Sequence, residues 1–143
     1  MNRETKMAIL IALIMLLAVF AYVSPYFINN IERKNNKVSA NAEIFTSKVL
    51  SQFNVDKNLK ASVVAKQITE ELNKINKNPY SKKQEAYVYE NAQAGQLLVE
   101  FDDAIQTITI TSYDKDKKII IRTLIKPPSF VTYKKEEVKN ERK

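Results

Sequence analysis

The residues of this chain best placed to do chemistry are its close-set aspartates, Asp102-Asp103 and Asp114 with Asp116, and a serine three positions ahead of a lysine, Ser112 and Lys115. Neighbouring carboxylates could hold a calcium ion, and Ser-x-x-Lys is the pattern of some acyl enzymes, with the serine as nucleophile. Neither pattern is complete. A calcium loop needs more oxygen ligands in register and usually a glycine, whereas Asp114-Lys115-Asp116-Lys117 sets two lysines beside two carboxylates. The serine of an acyl enzyme opens a helix in a cleft, and Ser112 closes a β-prone run. Both acid pairs fall between β-prone runs, where an Asp carboxylate commonly bonds nearby backbone amides, so they read as turn residues.

Composition narrows the chemistry further. The chain has no Cys, His or Trp, which excludes a disulfide framework and thiol chemistry and removes the usual zinc ligands and the commonest general base. Its single glycine, Gly95, rules out a glycine-rich phosphate loop. The expectation is a protein with no catalytic residue, metal, cofactor or small-molecule substrate. The net charge of +7 comes from lysines spread through the polar part and interleaved with acids, as in Lys134-Lys135-Glu136-Glu137. Such dispersion points to solubility or loose attraction to anionic surfaces, not to a specific nucleic-acid site.

One segment dominates the pattern. Met7 to Ile28 carries no charge and includes twelve Leu, Ile, Val or Phe residues. As a helix it spans roughly 33 Å, close to the roughly 30 Å of a bilayer's hydrocarbon core. Each of the twelve favours insertion by about 0.3–0.6 kcal/mol near the helix centre, a gross drive of several kcal/mol with nothing charged to oppose it. Tyr22 and Tyr26, one turn apart, suit an aromatic belt at headgroup level, and Pro25 between them is expected to kink or loosen the helix. A cleavable secretory signal is the rival reading: Arg3 and Lys6 form a basic n-region, Met7 to Leu17 an h-region and Val19-Phe20-Ala21 a small-residue site. The apolar run continues past Ala21, which favours a retained anchor. Arg3 and Lys6 on one side balance Arg33, Lys34 and Lys37 on the other, so the positive-inside count leaves the orientation open.

Residues 29–41 read as a polar helix extension or linker, 42–134 as one soluble domain and 135–143 as a charged tail. Ile44, Phe45, Val49 and Phe53 recur at helical spacing, and Asn54-Val55-Asp56 interrupts, with Asp56 a cap for the next helix. In that helix Leu59, Val63, Val64, Ile68, Leu72 and Ile75 share a face, and Pro79 ends it by biasing Asn78 away from helical angles. Beyond it the period becomes two. Tyr87 to Tyr89, Leu97 to Phe101, Ile105 to Tyr113 and Ile119 to Ile125 read as strands joined by short turns, hence an antiparallel meander. Ile108 and Ile110, with Ile121, belong to the core face, and Thr107, Thr109 and Thr111 to a wet one. Phe130 to Tyr133 read as a short edge segment after Pro127-Pro128. The fold class is α+β: an N-terminal transmembrane helix, then an amphipathic helix packed on an antiparallel β-meander.

That order of elements, with a proline near the outer end of the apolar helix, resembles type IV pilins and pseudopilins. The local likeness is Ala21-Tyr22-Val23-Ser24-Pro25-Tyr26, similar to the family's Pro and Tyr near the end of the hydrophobic half of its long first helix. The resemblance implies a structural subunit whose apolar helix holds it in the cell membrane before assembly and then packs on sister helices in a filament, here through Ile9, Leu13, Leu16, Leu17 and Phe20. It implies an extracytoplasmic domain, and as partners membrane lipid and copies of itself or other pilin-like subunits. The family's prepilin cleavage motif, a Gly before Phe or Met with a Glu five residues on, is absent, and Ala8 stands where spacing from Pro25 would put that Glu. The alternative is a single-pass envelope protein whose domain docks a protein partner, the edge at Phe130 to Tyr133 being open to strand addition.

Overall fold

In the structure, a computed structural model, residues 2–128 and 135–136 are described. The chain forms two compact units, Met1–Arg33 and Lys34–Lys143. The first helix, α1, runs unbroken over Arg3–Val55. Asn2 caps it: its Oδ1 accepts the Thr5 backbone N–H at 2.8 Å and the Thr5 hydroxyl at 2.6 Å, satisfying one of the free donors of the first turn. Pro25 lies inside α1 without ending it, and residues 29–41 are helix, as the helix-extension alternative has it. The second unit starts at Lys34, upstream of 42, because Val38 and Asn41 are already buried in it.

α1 stops at Val55. Asp56 does not cap the next helix. Its Oδ1 instead accepts the Asn58 N–H at 2.9 Å, an Asx turn that reverses the chain. The second helix, α2, covers Ala61–Ile75, and its N-cap position, Lys60, offers no side-chain bond. It buries Ala61, Val64, Ala65, Ile68, Thr69 and Leu72. Val63, expected in the core, is 49% exposed, and Ile75 is 71% exposed. The two small alanines lie on the packed arc, which puts Val63 on the far side at 100° per residue, and Ile75 is the helix's last residue. Leu59 precedes the helix and packs partly buried against the core.

The strands follow in two sheets. β1 (Lys77–Asn78) and β2 (Ser81–Glu85) make an antiparallel pair that lacks any apolar alternation. β3 (Tyr87–Val88), β4 (Leu97–Asp102), β5 (Thr107–Tyr113), β6 (Ile119–Ile125) and β7 (Lys135–Glu136) form a sheet in that order. From β4 to β7 it is an antiparallel meander, while β3 joins β4 in parallel. The tail therefore begins with a strand, and the expected edge segment at Phe130 to Tyr133 lies outside the described residues. The fold is α+β.

One core joins all three layers. Val38, Phe45, Val49 and Phe53 of α1 and Ile68 and Leu72 of α2 meet Tyr87, Leu97, Val99, Ile108, Ile110 and Ile125 of the sheet. Each fully buried aliphatic or aromatic side chain of this kind contributes about 1.5–3 kcal/mol of hydrophobic stabilisation. Ile44 is 41% exposed, and Ile121 is half-buried beside α1. The threonines of β5 are drier than expected, with Thr107 and Thr111 buried. β5 is the central strand of the meander. Leu98 and Arg122 pair on either side of Thr111, and such longer neighbours shade a short side chain between them.

Candidate functional site

The first unit has one outstanding property: no described residue in it is buried. Leu16, Leu17, Phe20 and Tyr22 are 60–86% exposed, and Ile9, Leu13, Tyr26 and the other apolar side chains of the run are likewise open. Tyr26 and Phe27 pack edge to face, with ring centroids 6.3 Å apart. Scattered exposed leucines need no explanation, but a continuous apolar surface several turns long marks a membrane or an interface. Among the described residues, α1 is the one helix long and apolar enough to cross a membrane.

In the second unit Asp102, Asp103 and Asp114 act as backbone acceptors. Asp102 Oδ1 accepts the N–H groups of Ala104 at 2.8 Å and Ile105 at 3.4 Å, and Asp114 Oδ1 those of Asp116 at 2.8 Å and Lys118 at 2.9 Å. Asp103 reaches further. Its carboxylate accepts the Ser62 N–H at 2.7 Å and the Ser62 hydroxyl at 2.6 Å, while Gln106 Oε1 accepts the Ala61 N–H at 2.9 Å. Two residues of the β4–β5 turn thus cap α2 from another part of the chain, and these bonds hold the Asp103 carboxyl below its ordinary pKa. Ser112 Oγ bonds across to the backbone of Ile121, at 3.1 Å from its nitrogen. Among the described residues no acids gather in a group that could hold a metal ion.

Asn73 and Tyr87 fix the sheet to the helices, and Asn78 holds the β1–β2 pair, by polar contacts the sequence pattern does not show. Asn73 grips the β3 backbone with both ends of its amide, accepting the Tyr87 N–H at 3.0 Å and donating to the Tyr87 carbonyl at 2.9 Å. The Tyr87 hydroxyl donates to the Asn41 carbonyl at 2.8 Å, and burial pushes its pKa up to about 12, against a smaller lowering by Asn76. Asn78, buried, donates to Gln84 and to the Ala94 carbonyl at 2.8 Å and accepts the Tyr80 N–H at 2.9 Å. Gly95, at φ +81°, lies against it. The Asn73–Tyr87 and Tyr87–Asn41 contacts join residues 14 and 46 positions apart and leave no local signature.

Compared with known proteins, the chain matches no family model, and no curated protein or solved structure is similar to it. Two features bear on function: an apolar helical surface with no cover, and a domain whose polar side chains serve its own backbone.

Proposed function

We propose that this chain is a membrane-anchored, pilin-like structural subunit that self-associates through Ile9, Leu13, Leu16, Leu17 and Phe20. The observation that supports it is α1 itself: one helix whose apolar first half is uncovered and whose second half supplies Val38, Phe45, Val49 and Phe53 to the core of a helix-backed sheet. A plain anchor needs no continuous helix into its domain. A subunit that packs by its helix is consistent with one, since α1 carries both the uncovered apolar run and part of the domain core. The apolar run serves lipid before assembly and sister helices after it, both of which match uncharged surface.

Shearing cells and pelleting the released material at high speed tests the reading. Filaments containing the chain, seen by electron microscopy, support it. Recovery solely as detergent-soluble monomers refutes self-assembly and leaves an anchored domain that docks another protein. Replacing Leu13 and Leu17 by valine separates these cases, since changed packing shape disturbs a filament core but leaves an anchor in place.

A further inference from the structure

Three segments of the second unit converge on Tyr80. The Tyr80 hydroxyl bonds to Asn35 Oδ1 at 2.5 Å, and Lys34 Nζ stands 5.4 Å from the ring centroid, so the start of the domain's share of α1 lies against the β1–β2 hairpin. A Cβ at Gly95 would sit 2.5 Å from the Tyr80 ring, and the Gly95 N–H donates to the Tyr113 carbonyl at 3.0 Å. This brings the β5–β6 turn to the same end. Burial raises the Tyr80 pKa, and the charges of Asp114 and Asp116 raise it further, as their closeness requires.

The charge at this end is one-sided. Lys82 and Lys83 on β2 and Lys115, Lys117 and Lys118 in the β5–β6 turn are all exposed, and Lys34 lies over Tyr80. Against these six stand Asp114, whose Oδ1 is occupied by backbone donors, and Asp116. Among the described residues the one ion pair is Lys48 with Glu71, elsewhere on the domain, so none of the six lysines pairs with a described carboxylate. At the opposite end of β5, Asp102 and Asp103 stand beside the start of α2, and Asp103 has Lys60 and Lys66 as charged neighbours, so lysines there face carboxylates.

We propose that this lysine-rich end of the domain, gathered around Tyr80, docks on the anionic headgroups of the membrane in which the chain's own apolar helix is inserted. The inference rests on reading Met7 to Ile28 as a membrane span. Its second support is connectivity: Lys34, which lies over Tyr80, follows Ile28 by six residues, so along the chain this end is the part of the domain nearest the span. An anionic surface attracts lysines within a Debye length of it, roughly 10 Å at ordinary salt. Docking would hold the unassembled subunit against the bilayer.

The chain lacks cysteine, so single cysteines can be placed at will in the full-length protein, reconstituted into vesicles of equal phosphatidylglycerol and phosphatidylcholine carrying headgroup nitroxides. A fluorophore on Ser81→Cys should be strongly quenched and one on Ala104→Cys should not. Quenching at Ser81→Cys should vanish in pure phosphatidylcholine and in molar salt, and each Lys→Gln change among Lys82, Lys83, Lys115, Lys117 and Lys118 should weaken the docking equilibrium about fivefold. A label at Val19→Cys, read with nitroxides deep in the acyl chains, reports the span separately. If that label is quenched while the Ser81→Cys label is not, or is quenched equally on neutral lipid, docking is overturned and the span stands. If the Val19→Cys label is not quenched, the span reading fails and the docking proposal falls with it.

Discussion

Replacing Gly95 by alanine should cost more than any other single-methyl addition to this domain. The residue sits at φ +81°, and an added Cβ would lie 2.2 Å from Asn78 Oδ1 and 2.5 Å from the Tyr80 ring. The left-handed backbone alone costs a non-glycine residue about 1–2 kcal/mol. Relief of the contact must move the buried Asn78 amide, which bonds Gln84, the Ala94 carbonyl and the Tyr80 N–H, and leaving one such buried group unpaired costs about 1–3 kcal/mol. Together the loss is about 2–5 kcal/mol against a typical total of about 5–15 kcal/mol, so the melting temperature should fall by at least about 8 °C. Tyrosine near-ultraviolet circular dichroism of the full chain in detergent measures it. In an Asn78→Ala background the same Gly95→Ala change should cost less, because the amide it strikes is gone. Equal cost in both backgrounds, or a shift of the melting temperature within error, would refute the reasoning.

Tyr87→Phe should remove an alkaline weakness. The hydroxyl ionises near 10 when unfolded and about 12 when folded, so the unfolded state releases its proton first and stability falls as pH rises from 10 to 12; urea midpoints of the variant should fall less over that window. Asp103 behaves oppositely: its folded pKa lies below the 3.8 of a free carboxyl, so its stabilisation is present above that pH and lost as pH falls through the folded value. Asp103→Ala should therefore lower the urea midpoint at neutral pH, with the gap to the parent narrowing in acid. Lys48→Gln should change stability by less than about 1 kcal/mol, since its ion pair with Glu71 is exposed on both sides. Phe45→Ala should destabilise by about 3–5 kcal/mol, whereas Phe20→Ala, in a segment that buries nothing, should leave the domain's melting unchanged while altering membrane or filament behaviour.

The periodic elements were legible in the residues. Ile119 to Ile125 is a strand with those bounds, Ile68, Leu72, Ile108 and Ile110 are buried, and α2 ends where Pro79 forbids its continuation. The failures share a cause. Val63 looked like core because Ala61 and Ala65 carry little hydrophobic weight, yet small side chains let a helix approach a sheet and so choose its buried arc. Thr111 looked wet because period-two reasoning sees one strand, while Leu98 and Arg122 on the two strands beside it give it shelter. β1 and β2 escaped because Lys-Asn and Ser-Lys-Lys-Gln-Glu alternate nothing apolar, and Asn78 and Gly95 hold them by polar contact and close approach.

The same distinction explains α1. Up to Ile28 its apolar residues lie all round the helix, the pattern of a rod whose surroundings are apolar on every side. From Val38 to Phe53 only Val38, Ala42, Phe45, Val49 and Phe53 are deeply buried, a stripe at spacings of three and four that suits a single covered face. No glycine and no breaking turn separates the two patterns, and Pro25 falls before the change, not at it. Four asparagines, weak helix formers, occupy the stretch between them together with Glu32, Arg33, Lys34 and Lys37, and α1 continues through them all the same.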